Sequence, residues 1–560
     1  MLNRLLHGRA AWLACVFTLV ALQFARQFTA AVQETQVFDE GLHLAAGYSI
    51  LLTGDYRVNP EHPPLGRILS ALPLLVLKPE LKLDTEAWRY GDAVAMGRQL
   101  LYHQRNLTPE QILLPSRLVT IAMTMILALT MAFWVKARYG PLAGLLAVFL
   151  LTLDPSLSAH GHYITTDFIA TLTFFLAVIA FDRMVRRGRP IDILWAGLAL
   201  GIALVSKLSA IFLLPVFTIL WVLNRTRWRA VARQAAGLIV LSAIVVAVAY
   251  GPETVRSLHA RRLNEVVTKE TAMGYALRVG GRYLHLPAHQ FFLGLNEMAL
   301  HQKSGHPSYM LGTIRQHGEW PYFPFVFLVK TPLGALLLIV LALPLLWRFN
   351  RDLWILAIPL CIYWALCLQS GINIGIRHLL PVYPFTYALV AVLVARHAGA
   401  FYRKAAPALV GLACVLVAVE SARIAPHDIA FFNLAAGGPA NGPKLLVDSN
   451  LDWGQDLGNL RRWLDARGTN DVCLNYFGSA EESYYRFQGW AILANENLRT
   501  GERPRCHLAA ISATLLEGVY QKREWYAWLR ARKPVAILGW SIYVYDITDV
   551  KEGKVPPGSF

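Results

Sequence analysis

Charge is scarce in this sequence. Asp, Glu, Lys and Arg make up 16% of its 560 residues, against about 25% in ordinary soluble domains. With 55% apolar residues, a water-soluble globular domain is excluded. Cysteine is sparse too: six residues, mostly in or beside apolar stretches, do not make a disulfide framework. Cys473 and Cys506 fall in the last polar region, where one disulfide is permitted. No internal repeat, heptad or low-complexity segment is visible, which argues against a solenoid or a coiled coil. No clear small-residue cleavage site lies close behind the apolar run Ala11–Phe24. Arg4, Arg9 and that run are therefore expected to form a retained first span and not a cleaved signal peptide.

Acids are outnumbered, 36 against 53 Lys plus Arg, for a net charge of +17. Such an excess suggests nucleic-acid binding until it is located along the chain. Six short connectors (1–10, 135–139, 182–190, 225–233, 348–352 and 396–404) hold 17 basic and two acidic residues, a net +15. The other 513 residues carry a net +2. Basic residues confined to short connectors between apolar spans are the positive-inside bias of a membrane protein. No nucleic-acid partner is expected; membrane lipids are.

Segments of spanning length are read at 11–28, 112–134, 140–154, 166–181, 191–206, 208–224, 234–250, 325–347, 353–369, 378–395 and 405–420. Eleven alternating spans put all six basic connectors and the N-terminus in the cytoplasm. The opposite face receives 29–111, 155–165, 251–324, 370–377 and the tail. The expected fold is thus a polytopic α-helical membrane domain, 1–420, with about 11 transmembrane helices and external loops 29–111 and 251–324. Residues 421–560 are expected to form a small extracytoplasmic α/β domain. Its expected strands are Lys444–Val447, Val472–Tyr476 and Val535–Trp540, and its helices Gln455–Arg467 and Ser479–Phe487. In the first loop, Asp39–Leu52 reads as an amphipathic helix. Leu65–Leu77, short and carrying Arg67, reads as an interfacial or re-entrant helix; a true span there would invert the downstream topology.

Polar chemistry gathers on the external side, where 14 of 16 histidines fall. The densest cluster holds Asp39, Glu40, His43, Asp55, Arg57, Glu61 and His62. Asp39 and His43, four residues apart, share a helix face, although Asp39 also suits a helix cap. A second cluster is Asp154, His160, His162 and Asp167, the last at the mouth of a span, where an acid needs a polar partner or a capping role. A third is Arg377-His378, a cation on the outer face against the charge trend. Its planar fork suits phosphate, and interfacial snorkelling is the plainer alternative. His285, His289, His301, His306 and His317 line the second loop. In the tail, Val447-Asp448-Ser449-Asn450-Leu451-Asp452-Trp453-Gly454-Gln455-Asp456 offers helix-capping acids, or a glycan contact through Asp452 with Trp453 as a sugar platform. Acids, an outer-face Arg and many spans suit a reaction on an amphiphilic phosphate ester. A transporter or flippase of a lipid-linked glycan is the alternative, but the paired half-repeats common in transporters are not visible.

Asp39-Glu40, Asn59-Pro60-Glu61-His62-Pro63-Pro64-Leu65 and Thr165-Thr166-Asp167 carry a resemblance. Over about 1–400 the chain resembles the polytopic GT-C glycosyltransferases that use polyprenyl-phosphate sugars, namely the protein O-mannosyltransferases and lipid A aminoarabinose transferases of glycosyltransferase family 39. The resemblance implies inverting transfer of a sugar from a polyprenyl phosphate to a hydroxyl acceptor at the external face of a plasma (bacterial inner) membrane, with no nucleotide cofactor. Carried over, Asp39 is the acid that activates the acceptor, and Glu40, with His43, its companion. Asp167 is the second essential acid. Arg377 and His62 are placed on the donor phosphate, although His62 replaces a lysine of the relatives, and the charge of Arg57 in the first cluster adds it to the same phosphate. Glu61, with His301 or His306, is placed on a divalent metal ion.

Overall fold

The computed structural model describes residues 8–251, 288–487 and 504–552. His285 and 252–287 of the expected second loop lie outside them. Six helices among the described residues are long and apolar enough to cross a membrane, or up to eight if two bent pairs each count as one span. The chain is a multi-pass membrane protein on that basis. Pro190–Leu204 and Leu208–Leu223 are shorter apolar helices, and Val382–Ile424, 43 residues long, takes in the last two expected segments, so the eleven expected segments are all helical.

Two of the long helices end on complementary charges. Pro109–Tyr139 opens on a Thr108–Gln111 capping box with Pro at its first turn and closes on Lys136 and Arg138. Thr166–Arg187 carries Asp167 in its first turn and Arg186 and Arg187 in its last, then stops at left-handed Gly188. Acids at N-termini and cations at C-termini complement the helix dipole, so one pattern serves both helix stability and orientation. The two bent pairs break at prolines. Pro141–Thr152 and Pro155–His162 meet at 64°, and Tyr322–Lys330 and Leu333–Arg348 at 112°. At the first break Asp154 caps its helix, accepting from Leu157 N at 3.0 Å.

In the first loop, helix Glu40–Thr53 ends at left-handed Gly54, and Pro64–Ala71 is only eight residues long, far short of a span. The two helices nearly touch: a Cβ on Gly47 would lie 2.1 Å from the carbonyl oxygen of Arg67. Among the described residues β1 (Ser308–Met310) pairs with β2 (Thr313–Arg315), and the tail forms a four-stranded sheet in the order β3 (Val472–Asn475), β4 (Leu508–Ser512), β6 (Ile542–Asp546), β5 (Ala536–Leu538). β3 and β4 are parallel, and the other pairs antiparallel. Cys473 and Cys506 form a disulfide. Two expected elements differ: Gly442–Leu445 is a single helical turn started by Pro443, not a strand, and 479–487 is a run of turns ending near left-handed Arg486. The tail does not keep its apolar core to itself. Leu457, Leu460, Leu474 and Val544 share one buried cluster with Leu44, Leu100, Ile112 and Ile164 of the membrane part.

Candidate active site

Four charged side chains from four chain segments meet at one point. Asp39 sits where a helix cap would, yet makes no side-chain cap bond. Its carboxylate accepts instead from Arg377 Nη1 at 2.7 Å. The same Nη1 lies 3.6 Å from Asp167 Oδ2, and the other oxygen of Asp167 pairs with Lys207 Nζ. Arg377 enters on a 3-10 turn, Ile376–Leu379. Lys207 stands in the extended link between two short apolar helices. Two acids and two cations leave the cluster neutral, which makes its burial affordable. Asp167 is 3% exposed, whereas Asp39 and Lys207 each keep 19%, so Asp39 and Lys207 are the reachable members. Among the described residues Arg377 Nε is buried without a hydrogen-bond partner, which leaves it able to donate.

A second, fully buried layer holds this one. Glu40 does not face the cluster's opening. It is 0% exposed and pairs two-pronged with Arg117, at 2.8 Å (Nε) and 2.5 Å (Nη2). Val37 N and Ile164 N also donate to it. Every acceptor position of Glu40 is occupied, so the expected companion of Asp39 is a clamp. Arg117 further binds the carbonyls of Ala31, Glu34 and Thr35, tying the end of the first helix to the loop that carries Asp39. Arg67 does the same for the proline-rich segment. It is buried and donates to Val58 O, Asn59 O and His62 O.

The remaining expected site residues divide. His43 is buried, touches Asn59 at 3.4 Å and packs its ring on His62. Burial, then the charge of Arg67, pushes the His43 imidazole down to about 3. Burial, then neighbouring His43, does the same for His62, also to about 3. His62 is therefore neutral near pH 7 in the resting site. Arg57, the other expected phosphate contact, is held by Asp55 at 2.6 Å and stacks on Trp88 at 4.6 Å. Glu61 lies 3.7 Å from His301 and 3.8 Å from His62. Neighbouring His301 holds its carboxyl down at about 2. His306 bonds Pro307 O and packs against Tyr520 and, at 5.9 Å between ring centres, against His301. Among the described residues no three His, Cys, Asp or Glu side chains converge as metal ligands. The expected divalent ion thus does not fit the described donors, and no step below passes through one.

In the tail, Asp452 and Trp453 do not face solvent as a glycan contact requires. Asp452 is 0% exposed and accepts from Thr514 N; burial pushes its carboxyl up to about 8. Trp453 is 2% exposed, with the Arg377 guanidinium 4.4 Å from its ring centre. Sequence reasoning missed Lys207, Arg117 and Arg67 as site-builders. Lys207 carried a usable signal, as a lone cation at the external junction of two short spans. Arg117, inside an apolar helix, carried the cost of an unpaired charge in the membrane.

A family model described as dolichyl-phosphate-mannose-protein mannosyltransferase matches residues 109–250. A search of curated proteins by sequence gives no match. Among solved structures, ArnT from Cupriavidus metallidurans bound to undecaprenyl phosphate is similar over 94% of this chain and 97% of that one, at 14% identity and a TM-score of 0.50. The same protein in its apo state is similar over 97% and 99%, at 16% identity and a TM-score of 0.48. The archaeal oligosaccharyltransferase AglB from Archaeoglobus fulgidus, in complex with an inhibitory peptide and a dolichol-phosphate, is similar over 89% and 69%, at 11% identity and a TM-score of 0.43. The GT-C-like fold expected from the sequence is the one the chain shares with ArnT.

Proposed function

We infer that this protein is an inverting glycosyltransferase of the external membrane face, moving a sugar from a polyprenyl-phosphate carrier to a hydroxyl acceptor. One observation carries the reading: Asp39, Arg377, Asp167 and Lys207 form a neutral, part-accessible cluster. The fold shared with ArnT, solved with undecaprenyl phosphate, supports the lipid-phosphate class of donor. On the charge pattern of the connectors the cluster faces away from the cytoplasm, and the resemblance to the lipid A aminoarabinose transferases implies a bacterial inner membrane.

The reaction follows from the side chains. Asp39 takes the proton of the acceptor hydroxyl. That oxygen attacks the anomeric carbon as the bond to the phosphate oxygen breaks, inverting the centre in one displacement. The departing phosphate gains negative charge, which Lys207 and the fork of Arg377 stabilise. Asp167 orients both cations. In the resting cluster Arg377 is bonded to Asp39, so a donor phosphate that draws off the guanidinium also releases the base. Polyprenyl phosphate as leaving group leaves no need for a nucleotide-sugar site.

Binding tests the phosphate side. Lys207→Met and Arg377→Lys are each expected to weaken undecaprenyl phosphate about tenfold, since a hydrogen bond to a charged group contributes about 1.5–3 kcal/mol. Titration of the purified protein in detergent reads it. Unchanged affinity in both variants contradicts the assignment.

A further inference from the structure

The tail segment Asp448–Trp453 stays unused in that mechanism, yet it touches both halves of the reacting cluster. On one side, Phe38 N, next to the base, donates to Trp453 O at 2.9 Å. On the other, Ile376 N, next to Arg377, donates to Asn450 Oδ1 at 2.9 Å, and Ser449 Oγ donates to Ile374 O. The contact at Ser449 is close: a Cβ on Gly375 would lie 2.3 Å from its Oγ. The Trp453 indole then lies under the Arg377 guanidinium, 4.4 Å away. Membrane-part residues fix the segment in turn, Lys330 Nζ donating to Asn450 O at 2.6 Å. The segment starts at Asp448, which adopts a left-handed conformation with φ of 57° and accepts from Tyr520 at 2.6 Å. A buried side chain held in that region implies that its surroundings dictate the backbone.

We propose that this segment is a positioning element of the active site. It sets the distance between Asp39 and Arg377, and Trp453 is the positioning residue that fixes the guanidinium between the two acids. The C-terminal region is on this account part of the catalytic apparatus, even though it contributes no group to the reacting atoms. The physical basis is twofold. A guanidinium over an indole face gains electrostatic attraction without a competing hydrogen bond, leaving its N–H groups for carboxylates and phosphate. Backbone bonds to Phe38 and Ile376 make one rigid loop the common reference for the base and the cation. The proposal rests on the functional reading above.

A double-mutant cycle in sugar transfer, with activity expressed per folded protein, tests it. Trp453→Leu is expected to lower kcat about 100-fold, the loss that a misplacement of about 1 Å causes, with a smaller change in donor KM. Trp453→Phe, which keeps an aromatic face, is expected to recover at least about tenfold of that loss. In an Arg377→Lys background, Trp453→Leu is expected to add less than about threefold, because the two residues act as one unit. Full multiplication of the two losses, or wild-type kcat in Trp453→Leu, overturns the proposal. Where Trp453→Leu fails to fold, Ser449→Ala, which removes the bond to Ile374 O, runs the same cycle: a kcat loss that shrinks in the Arg377→Lys background supports the proposal, and wild-type kcat or full multiplication overturns it. A wild-type protein that transfers no sugar at all would instead overturn the functional reading, a separate outcome.

Discussion

Asp39→Asn lowers sugar transfer by about 10²–10⁴-fold, the usual contribution of a positioned general base, while undecaprenyl phosphate still binds. The two halves of this result come from different atoms. Asparagine is nearly the shape of aspartate, so the loop geometry set by Arg117, Glu40 and Trp453 is kept. It cannot accept the acceptor's proton, so the chemical step fails. The Arg377 guanidinium, bonded to Asp39 at 2.7 Å in the resting protein, loses a competitor for the phosphate, so affinity for polyprenyl phosphate holds or rises. Initial rates and equilibrium binding on one preparation check it. Wild-type activity in Asp39→Asn removes Asp39 as the base. Lost activity with equally lost binding assigns it to holding Arg377 instead.

The largest expected stability effect lies in the layer beneath. Glu40→Gln and Arg117→Met each destabilise the protein by about 3–5 kcal/mol, the cost of leaving one member of a buried ion pair without its counter-charge. Arg117 is 1% and Glu40 0% exposed, so solvent does not rescue either. The double variant Glu40→Met, Arg117→Met is expected to recover part of that loss, because two apolar side chains leave no buried charge. Recovery is incomplete, since Val37 N and Ile164 N also lose their acceptor. Thermal unfolding in detergent reads all three proteins. Midpoints unchanged from wild type in both single variants contradict the clamp.

Much of this site was legible because the membrane makes charge expensive. Asp39, Asp167 and Arg377 stood out as charged residues at the external ends of apolar segments, and they meet in the structure. Hidden pairing was not legible. Whether Asp39 capped its helix or faced a cation 338 residues away depends on tertiary approach, and sequence spacing leaves both open. Glu40 and Asp39 look equivalent as neighbours, yet one helical step of about 100° turns one carboxylate to Arg117 and the other to Arg377. Trp453 looked exposed because it lies in a polar, glycine-containing stretch. The polar neighbours prove to be its anchors: Asp448, Ser449 and Asn450 are all buried and hydrogen-bonded.

Fold legibility shows the same division. Long apolar helices were readable from composition, since the bilayer requires them. Short tail elements were not. β4 and β6 lie beside polar or aromatic stretches with weak alternation, and they pair through a register that only the assembled sheet fixes. Gly442-Pro443 starts a helical turn where a strand was expected, because proline fixes φ at a helical value.

The most direct test of the account follows both products of one reaction. Purified protein in lipid vesicles is incubated with a polyprenyl-phosphate sugar and a hydroxyl acceptor, and mass spectrometry and NMR then identify what forms. The account predicts free polyprenyl phosphate and one equivalent of a new glycoside, with its anomeric configuration opposite to that of the donor. Lipid-linked sugar that crosses the vesicle with its phosphate bond intact, and no new glycoside, would contradict it.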